Sequence, residues 1–162
     1  MRVLKSDSTN GRGLRTVVDG DLSLLQGFNC NDNASMSSTL SAPISAAVNR
    51  TTGEVSLTLQ PFVPSVMITS PDGSTHFRLT AAAAAVNFAG ETYSLDVAES
   101  SRLPINDAPT AAISLTANMP AASTDPIFLL VGIDFTQEVN GTHYALKTGA
   151  FNVLSIVQVD LA

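Results

Sequence analysis

Val55, Leu57 and Leu59 alternate with Glu54, Ser56, Thr58 and Gln60, and the same period of two returns along the chain. Tyr93, Leu95 and Val97 alternate with Thr92, Ser94, Asp96 and Ala98; Ala111, Ile113, Leu115 and Ala117 alternate with Ala112, Ser114, Thr116 and Asn118. Successive side chains of a strand point to opposite faces, so each run predicts a strand with one buried face. By phase, Tyr93 points inward. Prolines 61, 64, 71, 104, 109, 120 and 126 fall between the runs. Proline lacks the N–H that a ladder needs, so those positions are strand ends. Residues 49–53, ending in Gly53, suit a bulged hairpin, and Asn140-Gly141 suits a two-residue type I′ turn, which needs positive φ at both residues.

Two stretches are ambiguous. Ala81–Ala85 has high helix propensity, and Phe77, Ala81, Ala84 and Phe88 fit helical spacing. Residues 75–79 alternate, however, and a turn at 89–91 leads into another strand, so a strand is favoured. Alanines there would let a neighbouring segment approach closely. Leu14, Val18, Leu22 and Leu25 also fit a helix face, but Gly20 weakens a helix interior by ~1 kcal/mol relative to Ala. A strand from Leu22 is the reading taken. The resulting expectation is strands near 22–29, 38–48, 54–60, 75–88, 92–98, 110–118, 127–139, 142–148 and 151–160. Short strands without intervening helices predict an all-β, antiparallel two-sheet sandwich of about nine strands, immunoglobulin or fibronectin type III-like in architecture. Residues 127–133 are apolar on both faces and belong to a central strand.

The hairpin at Asn140-Gly141 fixes a register. Val139 faces Thr142, Glu138 faces His143, Gln137 faces Tyr144, Thr136 faces Ala145, Phe135 faces Leu146 and Asp134 faces Lys147. One face then carries Glu138–His143, Thr136–Ala145 and Asp134–Lys147, and the other the more apolar pairs. A slip of one residue would mix the two classes. Glu138 and His143 are read as a solvated strand pair, not as an acid–base site.

Composition and charge narrow the function classes. The 162 residues suit one domain, large enough to bury roughly 70% of the surface its unfolded chain exposes. Charged residues are 14%, while Ser and Thr number 18 and 16. Arg2, Lys5, Arg12 and Arg15 place half the basic residues in the first 15 positions, opposed only by Asp7. Residues 1–15 are therefore read as a basic arm, extended and held against acidic surface, and residues 16–162 as a single domain. The acidic body argues against nucleic acid, which requires clustered Lys and Arg. No apolar run reaches the ~18 residues of a membrane-spanning helix. The polar start carries no secretory signal, so the chain either stays inside the cell or has lost a leader, and its location is unassigned.

Candidate chemistry is sparse. Cys30 has no partner for an internal disulfide and no metal pattern around it; it is read as a small buried apolar residue. His76, in an alternating strand, and His143, after a turn, are the only histidines, and both are read as structural. No nucleophile elbow, zinc-protease pair or phosphate loop occurs. Asp19, Asp21 and residues 29–33 offer oxygen ligands for calcium, but without a loop pattern they read as turns. Tyr144 is the freer tyrosine for a sugar platform. Asn33, Asn49 and Asn140 begin glycosylation sequons that matter only in a secreted eukaryotic setting. No catalytic, cofactor-binding or metal-binding residue is assigned, and no cofactor is expected.

LKSD at 4–7, NGRGL at 10–14, THFR at 75–78, VGIDF at 131–135 and GAFN at 149–152 resemble recurring segments of a group of uncharacterised bacterial proteins. Members of that group are longer, with a basic region ahead of the part seen here. The resemblance implies that this chain is their C-terminal portion and that residues 1–15 are a former linker; it brings no activity and no functional residues. The function expected from the whole reading is a non-enzymatic structural or protein-interaction β-sandwich module, which includes self-association. The runner-up is a ligand-binding sandwich for carbohydrate or another small molecule. A protein partner or a second copy is expected; a small-molecule ligand is not.

Overall fold

The structure, a computed structural model, describes residues 2–146 and 151–162. It is mostly antiparallel sheet, 43% strand and 11% helix, in two sheets, one of which curls into a half-barrel. The smaller sheet has the order β1–β2–β6, from β1 (Ile44–Asn49), β2 (Glu54–Leu59) and β6 (Ile113–Asn118). The larger is built on two long central strands, β3 (His76–Asn87) and β7 (Ile127–Val139). β4 (Thr92–Glu99) and the two-residue β5 (Leu103–Pro104) lie end to end along the outer edge of β3. β8 (Thr142–Ala145) and β9 (Val153–Asp160) do the same along β7.

The alanine-rich segment is strand. Odd positions of β3 (Phe77, Leu79, Ala81, Ala83, Ala85) are buried, as are odd positions of β7 (Ile127, Leu129, Val131, Ile133, Phe135). They share a core with Val55, Leu57 and Leu59 of β2 and with Ile113, Leu115 and Ala117 of β6. Burying a side chain such as Phe77 or Phe135 contributes about 1.5–3 kcal/mol each. That gain overrides the modest helix preference of five alanines. The small alanines leave the room between sheets to the larger residues of the facing strands.

Turn chemistry also follows the residues. Asn140 and Gly141 take φ of 52° and 79°, and the hairpin pairs Val139 with Thr142, Glu138 with His143, Gln137 with Tyr144 and Thr136 with Ala145. The Leu146 amide donates to the Phe135 carbonyl at 3.1 Å, continuing that register. The pairing of Asp134 with Lys147 lies outside the described residues. Gly53 has φ 81°, and a Cβ there would collide with the Met119 carbonyl oxygen.

Several expectations change. Residues 22–29 are not a strand: Leu22–Leu25 is a 3-10 turn, capped where Asp21 accepts from the Ser23 amide. Residues 27–30 then bond to the edge of β9, with the Gly27 amide on Ile156 O at 2.7 Å and the Cys30 amide on Leu154 O at 2.8 Å. Cys30 is exposed, because its backbone is tied to that edge while its side chain faces out. The run expected at 38–48 begins as helix α2 (Met36–Thr39), closed by a Ser35–Ser38 capping box; the strand proper starts at Ile44. Tyr93, Leu95 and Val97 alternate as expected but face outward, because β4 pairs them with Val86, Ala84 and Ala82 on the outer side of β3. Asp96 and Ala98 turn the other way.

Nor is the arm extended. Residues Arg2–Ser6 form helix α1, whose Val3 is buried against Leu22 and Phe128. Asp7, wholly inaccessible, ties the following loop together. Its carboxylate accepts from the amides of Thr9 (2.9 Å), Asn10 (3.0 Å) and Thr16 (2.9 Å) and from the Asn10 side chain (2.9 Å). Arg2, Lys5, Arg12 and Arg15 are exposed and take part in none of the ion pairs among the described residues.

The side-chain amide of Asn10 foremost, then the amides of Thr16, Asn10 and Thr9, outweigh desolvation and hold Asp7 at about 2, below its ordinary 3.8. A depressed carboxylate contributes stability above its unfolded value and loses it as pH falls through the folded one. Thermal stability of the wild-type chain should therefore fall between about pH 4 and pH 2, and Asp7→Asn should flatten that acid limb; an identical limb in both would refute the anchor. Gly53→Ala is expected to cost about 2 kcal/mol or more in chemical denaturation, from forced positive φ and the collision together.

Candidate functional site on the outer face of the large sheet

Even positions of β3 and β7 point away from the core and form rows: His76–Thr136, Arg78–Asp134, Thr80–Gly132, Ala82–Leu130 and Ala84–Phe128. The pleat forces this: once odd positions are buried, even ones share the opposite face. β8 adds His143 beside Glu138, β9 adds Ile156 beside Leu130, and β4 adds Val97, Leu95 and Tyr93. The face thus has a polar, charged end and an apolar end, with the small row Thr80–Gly132 between them.

At the apolar end, Val3, Val17, Leu22 and Leu25 of the N-terminal segment pack over Val86, Phe128, Leu130 and Ile156. Phe88 meets Phe128 edge to face, ring centroids 6.3 Å apart. The cover stops short of β4. Tyr93, Leu95 and Val97 remain 74%, 57% and 48% exposed. The edge of β4 is less open than its face, since Asp96 turns back and accepts from the Asn118 amide of β6 at 2.7 Å and from the Val97 amide at 3.0 Å. Those bonds, Asn118 first, hold the Asp96 carboxyl below its ordinary value.

At the charged end, Arg78 donates to Glu99 at 2.6 Å and to Asp134 at 3.0 Å. Beyond it His76 Nε2 stands 3.4 Å from Glu138 Oε2. The His76 and His143 rings meet edge to face, centroids 4.7 Å apart. Thr136, 2% exposed, lies between them and approaches His143 Nδ1 at 3.5 Å. Thr75 Oγ1 lies 2.9 Å from His76 Nδ1 and accepts from the Glu138 amide at 2.7 Å. Glu138 and His143 are exposed and His76 is partly buried.

The other singled-out residues sit elsewhere and serve turns. Asp19 accepts from Thr16 Oγ1 and Asn10 Nδ2; Asn29 Oδ1 accepts from the Met36 amide; Asn31 Oδ1 accepts from the Asn33 amide. Tyr144 is exposed on β8. The hairpin register makes Glu138 and His143 neighbours from the sequence, whereas nothing local in the sequence joins His76 to them. Only the β3–β7 register brings it there.

No family model, curated protein or solved structure matches the chain.

Arg78 holds three strands of this face through two half-exposed carboxylates. Arg78→Met, which keeps the apolar stem, should cost about 1 kcal/mol at low ionic strength and less in high salt. Denaturation at two salt concentrations checks it, and a salt-independent loss would assign the effect to packing instead.

Proposed function

We propose that the chain is a non-enzymatic protein-interaction module, a two-sheet β-sandwich of the immunoglobulin and fibronectin type III kind, that associates with a second copy through the open apolar stripe of β4. The strand order supports the fold reading. Lettered in the immunoglobulin manner, β1, β2 and β6 take the places of A, B and E, while β3, β7 and β9 take those of C, F and G, with β4 as C′.

The observation that carries the association is the line of Tyr93, Leu95 and Val97, left open beside an apolar end that the N-terminal segment otherwise covers. Contiguous exposed apolar patches are rare on monomers unless they meet something. Beside the stripe the same face carries the exposed basic groups of the N-terminal segment and the acidic Glu91 and Glu99 that flank β4. A two-fold arrangement would set each copy's basic segment toward the other's acidic strand, which is the self-complementarity an isologous interface needs. Asp96 blunts the strand edge, so the face and not the edge is the surface offered. The non-enzymatic reading is supported by the histidine contacts, which go to threonine hydroxyls and a neighbouring strand carboxylate.

Sedimentation of the wild-type chain should give a dimer that Leu95→Asp converts to a folded monomer. Charge reversal at Arg12 and Arg15 should weaken it at low salt. A wild-type chain that remains monomeric at high concentration overturns self-association, and β4-dependent binding of a different protein would reassign the face.

A further inference from the structure

We propose that His76, Glu138 and His143 form a binding site for one divalent transition-metal ion, with Zn²⁺ the reference ion. Each residue offers one ligand atom, and the three atoms lie within 4.8 Å of one another. Two imidazoles and one carboxylate favour borderline ions such as Zn²⁺ over Ca²⁺ or Mg²⁺, which prefer all-oxygen sets. The site is independent of the β4 stripe, at the other end of the face.

The spacing suits a metal. Donors at adjacent corners of a tetrahedron with bonds of about 2.0–2.1 Å are roughly 3.3 Å apart. His76 Nε2 and Glu138 Oε2 are 3.4 Å apart, longer than the ~2.7–2.9 Å of a charge-assisted hydrogen bond. The His143 ligand atom lies within 4.8 Å of the other two, and His143, as an exposed residue at a hairpin end, has room to rotate and close the third corner. Its Nδ1 is turned to Thr136 Oγ1, which leaves Nε2 as the donor.

A second layer is in place. Thr75 Oγ1 has one proton and two lone pairs. One lone pair takes the Glu138 amide, and its proton can go to Thr136 O at 3.4 Å. In the tautomer with the proton on Nδ1 of His76, the second lone pair accepts it and the Nε2 lone pair faces Glu138 Oε2 at 3.4 Å, the arrangement a cation would bridge. Metal-bound histidines commonly have their other nitrogen held in this way, which sets the tautomer and the ring angle. The same threonine oxygen positions the Glu138 backbone. Arg78, two residues along β3 from His76, is matched by Asp134 and Glu99.

The test uses untagged, chelator-stripped full chain titrated with Zn²⁺ by calorimetry, with imidazole resonances followed by NMR. One Zn²⁺ per chain is expected, with shifts at both histidines. Glu138→Gln and His143→Ala, both at exposed positions, should each weaken binding at least tenfold while circular dichroism stays unchanged. Thr75→Ala should weaken it about tenfold as a positioning residue, and Thr75→Ser should restore it. Binding as tight in His76→Ala and His143→Ala as in the wild type, or no saturable binding by the wild type, overturns the site.

Discussion

Ten consecutive residue pairs join β3 to β7, from His76–Thr136 to Ala85–Ile127. This ladder buries one face of both strands, and the pleat then commits every second residue to the other face. Each outer edge of the pair carries two shorter strands end to end, so four strands take their position from it. A slip of β3 by one residue against β7 would push Phe77 and Leu79 toward water and draw Arg78 into the core. Burial of an unpaired charge and loss of two large apolar side chains oppose such a slip together.

The two sheets are tied at their margins by charged groups that satisfy backbone. On one side Asp96 of β4 reaches the Asn118 amide of β6. On the other, Arg50, just past β1, pairs with Asp160 of β9 through Nε and donates to the carbonyls of Ser123 (2.7 Å), Asp125 (3.1 Å) and Asp160 (2.9 Å). Both residues serve orphaned backbone groups where strands run out, which is where a charged side chain gains most from a fixed position. The N-terminal segment works by a different balance. Its basic residues stay in solvent, while one buried carboxylate and a few apolar side chains hold it to the sheet.

The outer face shows how one ladder places two unlike surfaces on one plane. Toward the hairpin, polar residues of three strands converge over the small Thr136. Toward the far end, alanines on β3 leave the rows low, so Phe128 and Leu130 can be roofed by Leu22 and Val3 while the β4 side stays open.

Local pattern alone sufficed for β2, β4, β6 and β7, where alternation or a continuous apolar run spans the strand, and for the Asn140–Gly141 turn, whose backbone angles few other residue pairs accept; the alanines of β3 left helix and strand both open. The hairpin register followed from that turn because a two-residue loop leaves one way to pair. Other features depend on which strands meet. The period of Tyr93, Leu95 and Val97 says that they share a face but not which face, and the pairing of β4 with β3 turned them outward. Leu22–Leu25 had too short a signal to separate a strand from a turn, and its packing on Phe128 decided it. Cys30 is apolar enough to be buried, yet its backbone was needed at the edge of β9. His76 joined Glu138 and His143 only through a contact sixty-odd residues away in sequence. Periodicity is carried by neighbours in the chain, so the sequence determined the strands and their tight turns. The choice of buried face and the meeting of distant side chains are set by long-range pairing, which the tertiary structure alone decided.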